Sequence, residues 1–302
     1  MSEAREMRDL AAIMAEWRAL VDAALDRWLP PPTEPPSIIH EAMRYSVFAG
    51  GKRLRPMLAL FGCEAAGGTP EDAMPGAVAL ELIHTYSLVH DDLPAMDDDD
   101  YRRGRPTCHK VYGEAIGILA GDALLTHAFQ VLADQAAAGI PALRRLRMIA
   151  EIAAAAGSVG MVGGQTMDIQ AEGKALDPAA LLTLHSKKTG ALLRASLRVG
   201  GLAGGADEAA LAHLTRYGER LGLAFQIVDD ILDIEGNSAE MGKTAGSDLR
   251  KHKATHPAVF GLEASRQEAA RLLGEAREAV RPFGEKGAVL VALADFVGQR
   301  RS

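Results

Sequence analysis

Apolar residues recur three and four positions apart along most of the chain, the period of a helix with one buried face. Between residues 5 and 28 the pattern runs Leu10, Ile13, Met14, Trp17, Val21, Leu25 and Trp28. Pro30, Pro31, Pro32, Pro35 and Pro36 then stiffen the backbone and bar a regular helix. A second helix is expected around 37–49. Others are predicted near 57–66, 71–92, 112–134, 141–160, 178–202, 207–235 and 257–281, with a last near 287–300. Alternating, β-branched segments are almost absent. Neither a repeat nor a linker of domain length interrupts the pattern. The chain reads as one all-α domain over residues 1–302, with about ten helices, more than a four-helix bundle uses.

Composition narrows the class. Hydrophobic residues make up 48% of the 302 positions, enough for a sizeable core and too many for a disordered chain. A net charge of −7 argues against a general nucleic-acid binder, whose footprint would be basic. Cys63 and Cys108 have no zinc-like spacing and read as free thiols of a reducing compartment. The first residues mix acids and bases without the apolar region of a signal peptide. No uninterrupted apolar stretch approaches the ~20 residues of a membrane span. A soluble, cytoplasmic protein is expected.

Two acidic clusters change the picture. Asp229, Asp230 and Asp233 sit in Phe225-Gln226-Ile227-Val228-Asp229-Asp230-Ile231-Leu232-Asp233. On a helix, Asp229 and Asp233 share a face, and like charges at that spacing repel. Their apolar neighbours imply a half-buried helix, which sharpens the repulsion. A cation between the carboxylates would relieve it. Hard oxygen donors with room for phosphate favour Mg²⁺, with Mn²⁺ as the alternative. The first cluster is Asp91, Asp92 and Asp97 in His90-Asp91-Asp92-Leu93-Pro94-Ala95-Met96-Asp97, leading into the run Asp97 to Asp100. A six-residue step turns roughly 240° around a helix, so helical stacking cannot unite Asp91 with Asp97. Pro94 can, by ending the helix and letting the chain return. Either cluster alone could be a solvated acidic face; two apolar-flanked sets ask for a shared reason.

Basic residues supply complementary charge. Gly50-Gly51-Lys52-Arg53-Leu54-Arg55-Pro56 combines a flexible turn with Lys52 and Arg55 beside an expected helix start at Pro56, a favourable place for phosphate. Arg102 and Arg103 follow the acidic run, Lys188 and Thr189 precede Gly190, and Lys243 lies in Gly242-Lys243-Thr244-Ala245-Gly246, with Lys253 further on. Acidic metal sites beside several basic groups point to two phosphorylated substrates, one held through metal and one directly.

These motifs resemble those of the trans-isoprenyl diphosphate synthases. Asp91-Asp92-x4-Asp97 followed by Arg102-Arg103-Gly104 looks like the family's first aspartate-rich motif, and Asp229-Asp230-x2-Asp233 like its second. Gly-Gly-Lys-Arg-Leu-Arg-Pro at 50–56, Gly-Gly-Gln-x2-Asp at 163–168 and Lys-Thr-Gly at 188–190 match in order. The likeness is strongest over residues 37–262, and within the family it is greatest to the bacterial farnesyl diphosphate synthases. One departure is His256 before Pro257, where relatives usually carry Tyr.

The resemblance implies a helical bundle around a central cavity, assembled as a homodimer. It implies Asp91, Asp97 and Asp229 as principal Mg²⁺ ligands, with Asp92, Asp230 and Asp233 assisting directly or through water. Lys52, Arg55, His84 and Arg103 would hold isopentenyl diphosphate; Arg102, Lys188, Lys243 and Lys253 would contact the allylic diphosphate. Lys188, Thr189 and Gln226 would serve catalysis, the last two as neutral dipoles facing an allylic cation. Tyr86 and Ser87 would set chain length. Tyr86 lies five residues before Asp91, about 7.5 Å along a helix, where an aromatic ring would limit the product to fifteen carbons. The expected reaction joins isopentenyl diphosphate to dimethylallyl and then geranyl diphosphate, giving farnesyl diphosphate; geranyl or geranylgeranyl diphosphate are the alternative products. A terpene cyclase would use an Asn/Ser/Glu-type second metal site and no second diphosphate site. A diphosphate hydrolase would want an activated water, and a regulatory subunit would need neither acidic cluster.

Overall fold

The computed structural model describes residues 2–134, 139–174, 176–235 and 255–300, with side chains from Leu10 onward. Its helices are α1 (Ser2–Trp28), α2 (Ser37–Val47), α3 (Leu54–Ala65), α4 (Pro70–Asp91), α5 (Cys108–Tyr112), α6 (Glu114–Ala133) and α7 (Ala142–Ala156). They continue as α8 (Met161–Ala171), α9 (Pro178–His185), α10 (Ala191–Ala203), α11 (Glu208–Glu235), α12 (His256–Phe260), α13 (Leu262–Val280) and α14 (Ala288–Gly298). Among the described residues the only sheet is a two-residue antiparallel ladder, Tyr101–Arg102 with Arg105–Pro106. The fold is all-α.

The centre is formed by α3, α4, α10 and α11, with α6 laid against α4 and α13 against α11. Sequence explains the layering. From Pro56 to Cys63 every residue of α3 is buried, so this helix has no polar face to offer water and must lie inside. By contrast α13 buries one stripe, Ser265, Ala269, Leu272, Leu273, Ala276, Ala279 and Val280, and leaves residues such as Glu263, Arg266, Arg271 and Glu278 exposed. In α1, Leu10, Trp17, Val21 and Leu25 are buried as their spacing predicts, and Trp17 packs on Phe61 with ring centroids 5.0 Å apart.

Four differences from the sequence expectation have physical causes. Helix α3 begins at Leu54 rather than at Pro56, because Arg53 takes a left-handed conformation (φ 51°) and starts the helix there. The helix expected near 141–160 ends at Ala156, where Gly157 turns extended (ψ −166°), and α8, outside the expected segments, starts at Met161. The expected single helix over 178–202 is interrupted by a π-helical turn at Ser186–Gly190. Finally, the 114–133 and 142–171 segments are long and apolar enough to cross a membrane by composition. Both are built into the bundle: α6 packs along α2 and α4, α7 packs on α10, and the second segment is broken between α7 and α8.

Candidate active site

Helix α4 carries the first acidic motif to its C-terminal end. The helix is fixed at its start by a capping box, in which the Thr69 amide donates to Asp72 Oδ2 at 2.8 Å, and Pro70 occupies the first helical position. It stops at Asp91. Past Pro94 the chain folds back on itself: the Asp97 amide donates to the Asp91 carbonyl at 2.8 Å, and the Asp98 amide to the Leu93 carbonyl at 3.1 Å. Two residues far apart on a helical wheel are thereby made neighbours. Burial pushes the Asp91 carboxyl up to about 6; Asp97 and Asp92 add to the rise, while Lys188 and Arg102 oppose it. A half-buried carboxylate whose charge is only partly offset, beside a second one, is a donor set that suits a hard divalent cation.

Asp92 lies differently. It is 4% exposed, and Arg102 Nε bridges its two oxygens at 2.8 and 3.0 Å. The structure thus pairs a residue expected to assist a metal with one expected to hold an allylic diphosphate. Both groups are committed to each other in a bidentate geometry.

Arg103 turns the opposite way. It has φ 54°, and its guanidinium donates to the Gly50 carbonyl. A side chain at Gly51 (φ 127°) would collide with this guanidinium, a Cβ falling 2.5 Å from Nη1, so the glycine makes room for it. Arg103 therefore arrives beside the turn that carries Lys52 and Arg55. Burial lowers the Arg55 pKa to about 10, with Arg103 adding to the fall and Glu81 and Asp229 opposing it. Burial also holds His84 well below its ordinary value, assisted by Arg55, Arg103, Arg102 and Arg53, so its imidazole is neutral. Lys52 is lowered by burial and by Arg300, and drawn back by Asp229. Arg55 and Arg103 thus lie within electrostatic reach of His84, and Lys52 and Arg55 within reach of Asp229. Beneath them Arg53, 3% exposed, reaches Glu81 Oε1 at 2.8 Å, Asp22 Oδ1 at 2.8 Å and the Val47 carbonyl at 2.9 Å.

The second acidic motif lies on α11, where two i,i+4 stripes run side by side. Asp229 and Asp233 are half-buried on one stripe. Arg300, beyond α14, donates from Nη1 to Asp229 Oδ1 at 2.7 Å and stacks over Phe225, 4.6 Å from the ring centroid. On the other stripe Gln226 Nε2 donates to Asp230 Oδ1 at 2.8 Å. Asp230 is 3% exposed, and its Oδ2 accepts the His256 amide at 2.8 Å. His256 itself is buried, bonded through Nδ1 to Ser265 Oγ at 2.8 Å and stacked on Phe260.

Lys188 and Thr189 stand on the π-turn, whose extra residue per turn rotates them relative to the flanking α-helices. Lys188 pairs with Asp168 of the Gly-Gly-Gln-x2-Asp segment on α8. That approach depends on Gly164, where a Cβ would lie 2.3 Å from the Lys188 amide nitrogen. Thr189 Oγ1 donates to Gln226 Oε1 at 2.8 Å, tying the π-turn to α11. Tyr86 is 6% exposed and meets the His90 ring edge-on at 5.8 Å, while Ser87 Oγ bonds the His84 carbonyl at 2.9 Å. Lys243 and Lys253 lie outside the described residues.

Sequence reasoning missed Arg300, Glu81 and the partnership of Gln226 with Asp230. The i,i+4 spacing of the last pair could have found it; nothing local announces the other two. It also missed Asp98, Asp100 and His109, whose donor atoms lie within 4.8 Å of one another. In that group Asp100 is already engaged by Lys110 at 2.7 Å and both carboxylates are exposed.

The all-helical bundle, with its two aspartate motifs on α4 and α11, has the fold of the isoprenyl diphosphate synthases. The geranylgeranyl pyrophosphate synthetase of Pyrococcus horikoshii superposes with a TM-score of 0.87 at 34% identity, over 97% of this chain and 99% of that one. The chain belongs to the polyprenyl synthetase family, whose model matches residues 36–287. It is 48% identical to a dimethylallyltranstransferase of Fischerella ambigua, over 96% of this chain and 83% of that protein. It is 46% identical to the farnesyl diphosphate synthase of Geobacillus stearothermophilus, over 94% of this chain and 96% of that protein. The protein is a prenyltransferase of isoprenoid biosynthesis.

Proposed function

We propose that the chain condenses isopentenyl diphosphate with dimethylallyl and then geranyl diphosphate, giving farnesyl diphosphate. The observation that carries the product length is Tyr86, buried on α4 about 7.5 Å below Asp91. At that depth an aromatic ring closes the cavity to a longer hydrocarbon. Relatives of similar identity include a geranylgeranyl diphosphate synthase of Cyanophora paradoxa, which keeps a twenty-carbon product as the second reading.

Asp91, Asp97 and Asp229 would hold Mg²⁺, or Mn²⁺ in its place, with Asp233 nearby. The metal would neutralise charge on the departing diphosphate. The remaining work falls to the chain. Lys52, Arg55 and Arg103, with neutral His84, hold the diphosphate of isopentenyl diphosphate; Lys188 meets that of the allylic substrate, as would Lys243 and Lys253. The allylic carbon–oxygen bond breaks, and the double bond of isopentenyl diphosphate forms the new carbon–carbon bond. A proton then leaves to an oxygen of the released diphosphate. Thr189 and Gln226 offer neutral oxygens toward the allylic cation, and the apolar walls keep water from capturing it. A homodimer is supported by the outer face of α6, where Ile118 and Leu119 are exposed.

The test is incubation with Mg²⁺, isopentenyl diphosphate and either dimethylallyl or geranyl diphosphate, followed by product sizing. Farnesyl diphosphate is expected as the main product. Inorganic diphosphate released without a longer prenyl chain rejects elongation; a twenty-carbon product rejects the Tyr86 limit alone.

A further inference from the structure

We infer that Asp230 is a positioning residue: its carboxylate orients the Gln226 amide, and through it the Thr189 hydroxyl, instead of ligating metal. The inference rests on the prenyl-transfer reading of the site and assigns the second acidic motif two separate jobs.

The argument begins with helix geometry. Asp229 and Asp230 are consecutive on α11, so their side chains leave the helix about 100° apart. Asp229 and Asp233 share the half-exposed stripe, whereas Asp230 shares its stripe with Gln226 and points inward. Asp230 is 3% exposed, and each oxygen is already bonded within the protein, Oδ1 to Gln226 Nε2 and Oδ2 to the His256 amide, both at 2.8 Å. The His185 ring edge closes the same side, its Nε2 3.8 Å from Oδ2. Both oxygens thus face protein donors, and at 3% exposure little of the carboxylate is left open to a hydrated cation.

What the bonds accomplish follows from donor and acceptor logic. A carboxylate only accepts, so Gln226 must turn its NH₂ toward Asp230 and its carbonyl oxygen away. That oxygen is the acceptor of the Thr189 hydroxyl at 2.8 Å. Thr189 must therefore spend its single proton on Gln226 and present lone pairs in its remaining directions. A neutral, electron-rich oxygen is what a developing allylic cation tolerates, since it stabilises positive charge without offering an anion that would trap it. Asp230 thus sets the sign of the Thr189 dipole from two hydrogen bonds away. His256 contributes through its backbone amide, so the unusual side chain at this position leaves the relay intact.

The test is a double-mutant cycle of Asp230→Asn and Gln226→Met, with kcat, KM for both substrates, and Mn²⁺ binding followed by electron paramagnetic resonance in the presence of inorganic diphosphate. In Asp230→Asn the new amide NH₂ faces Gln226 and forces it to flip. A fall of kcat by about tenfold or more is expected, with KM and Mn²⁺ affinity held within about twofold. On the Gln226→Met background the same substitution should cost less than about threefold, because the group it acts through is gone. Mn²⁺ affinity lowered about tenfold, with the full kcat loss in both backgrounds, would identify Asp230 as a metal ligand and overturn the inference. Lowered thermal stability with kcat unchanged would make it merely structural and also overturn it. Because Mn²⁺ binding is read without turnover, and wild-type elongation is assayed separately, failure of the relay and failure of the prenyl-transfer reading are distinguishable.

Discussion

Arg300 and Asp229 form an ion pair of 2.7 Å that joins the last described residue of the chain to the second acidic motif. Arg300 is almost fully covered, while Asp229 keeps a third of its side-chain surface. The guanidinium lies against the Phe225 ring and is near enough to Lys52 to lower its pKa. On the proposed reading, in which Asp229 helps hold a divalent ion, binding that ion would rearrange this pair.

Arg300→Ala should lower metal-free stability only modestly, by about 0.5–1 kcal/mol, because Asp229 is partly solvated. The larger effect is on linkage. A ligand that binds only the folded state stabilises it, and the variant has no ion pair to give up. The rise in Tm on adding Mg²⁺ with inorganic diphosphate should be larger in the variant than in the wild type. An equal rise would mean that Arg300 stays in place on binding.

Tyr86→Ala should lengthen the product. The ring is buried beneath the first acidic motif and braced edge-on by His90, whose Nε2 lies 2.9 Å from the Ile118 carbonyl. Removing it opens space along α4 without touching a charged group. Chromatography of the dephosphorylated products should show chains beyond fifteen carbons; an unchanged profile would reject Tyr86 as the floor.

Arg102→Ala should destabilise the protein by about 3 kcal/mol, measured by urea unfolding, because it leaves the buried Asp92 carboxylate without its partner. Asp92→Asn with Arg102→Ala should recover much of that loss, since the uncompensated charge is removed. No recovery would show that Arg102 stabilises the fold by packing alone.

His185 gives the pH dependence a definite sign. Burial lowers its pKa to about 4, with His256 as a further cause, whereas an unfolded histidine titrates near 6.5. Between those values the unfolded chain binds a proton that the folded chain refuses, so stability falls as pH drops from 6.5 toward 4. The contribution approaches about 3 kcal/mol at about 1.4 kcal/mol per pKa unit. His185→Gln should flatten this acid limb in denaturant titrations across pH 4–7 while leaving the curve above pH 7 parallel to the wild type. An unaltered acid limb would exclude His185 as the cause.

Sequence alone determined the class of fold and the helices that carry the two acidic motifs. Periodicity at Leu10, Trp17, Val21 and Leu25 is a local property, and the helix formed on it. Pro94 is likewise local: it ends α4 near Asp91, and the chain then returns Asp97 to the Asp91 carbonyl. The i,i+4 relation of Asp229 and Asp233 needs only the helix that carries them. Glycine serves turns and close packing alike, and at Gly164 in α8 it permits the close approach of Lys188.

Only tertiary structure decided how the charged groups are shared out. Spacing says that Asp91 and Asp92 are adjacent, but which one faces Arg102 and which stays open depends on the return of residues 97–106 over α4. The same holds for Asp229 and Asp230, one turned to Arg300 and the other to Gln226 and the His256 amide. Neighbouring carboxylates are chemically identical in sequence. They acquire different roles because burial and hydrogen bonding act over a few ångströms between helices far apart in the chain.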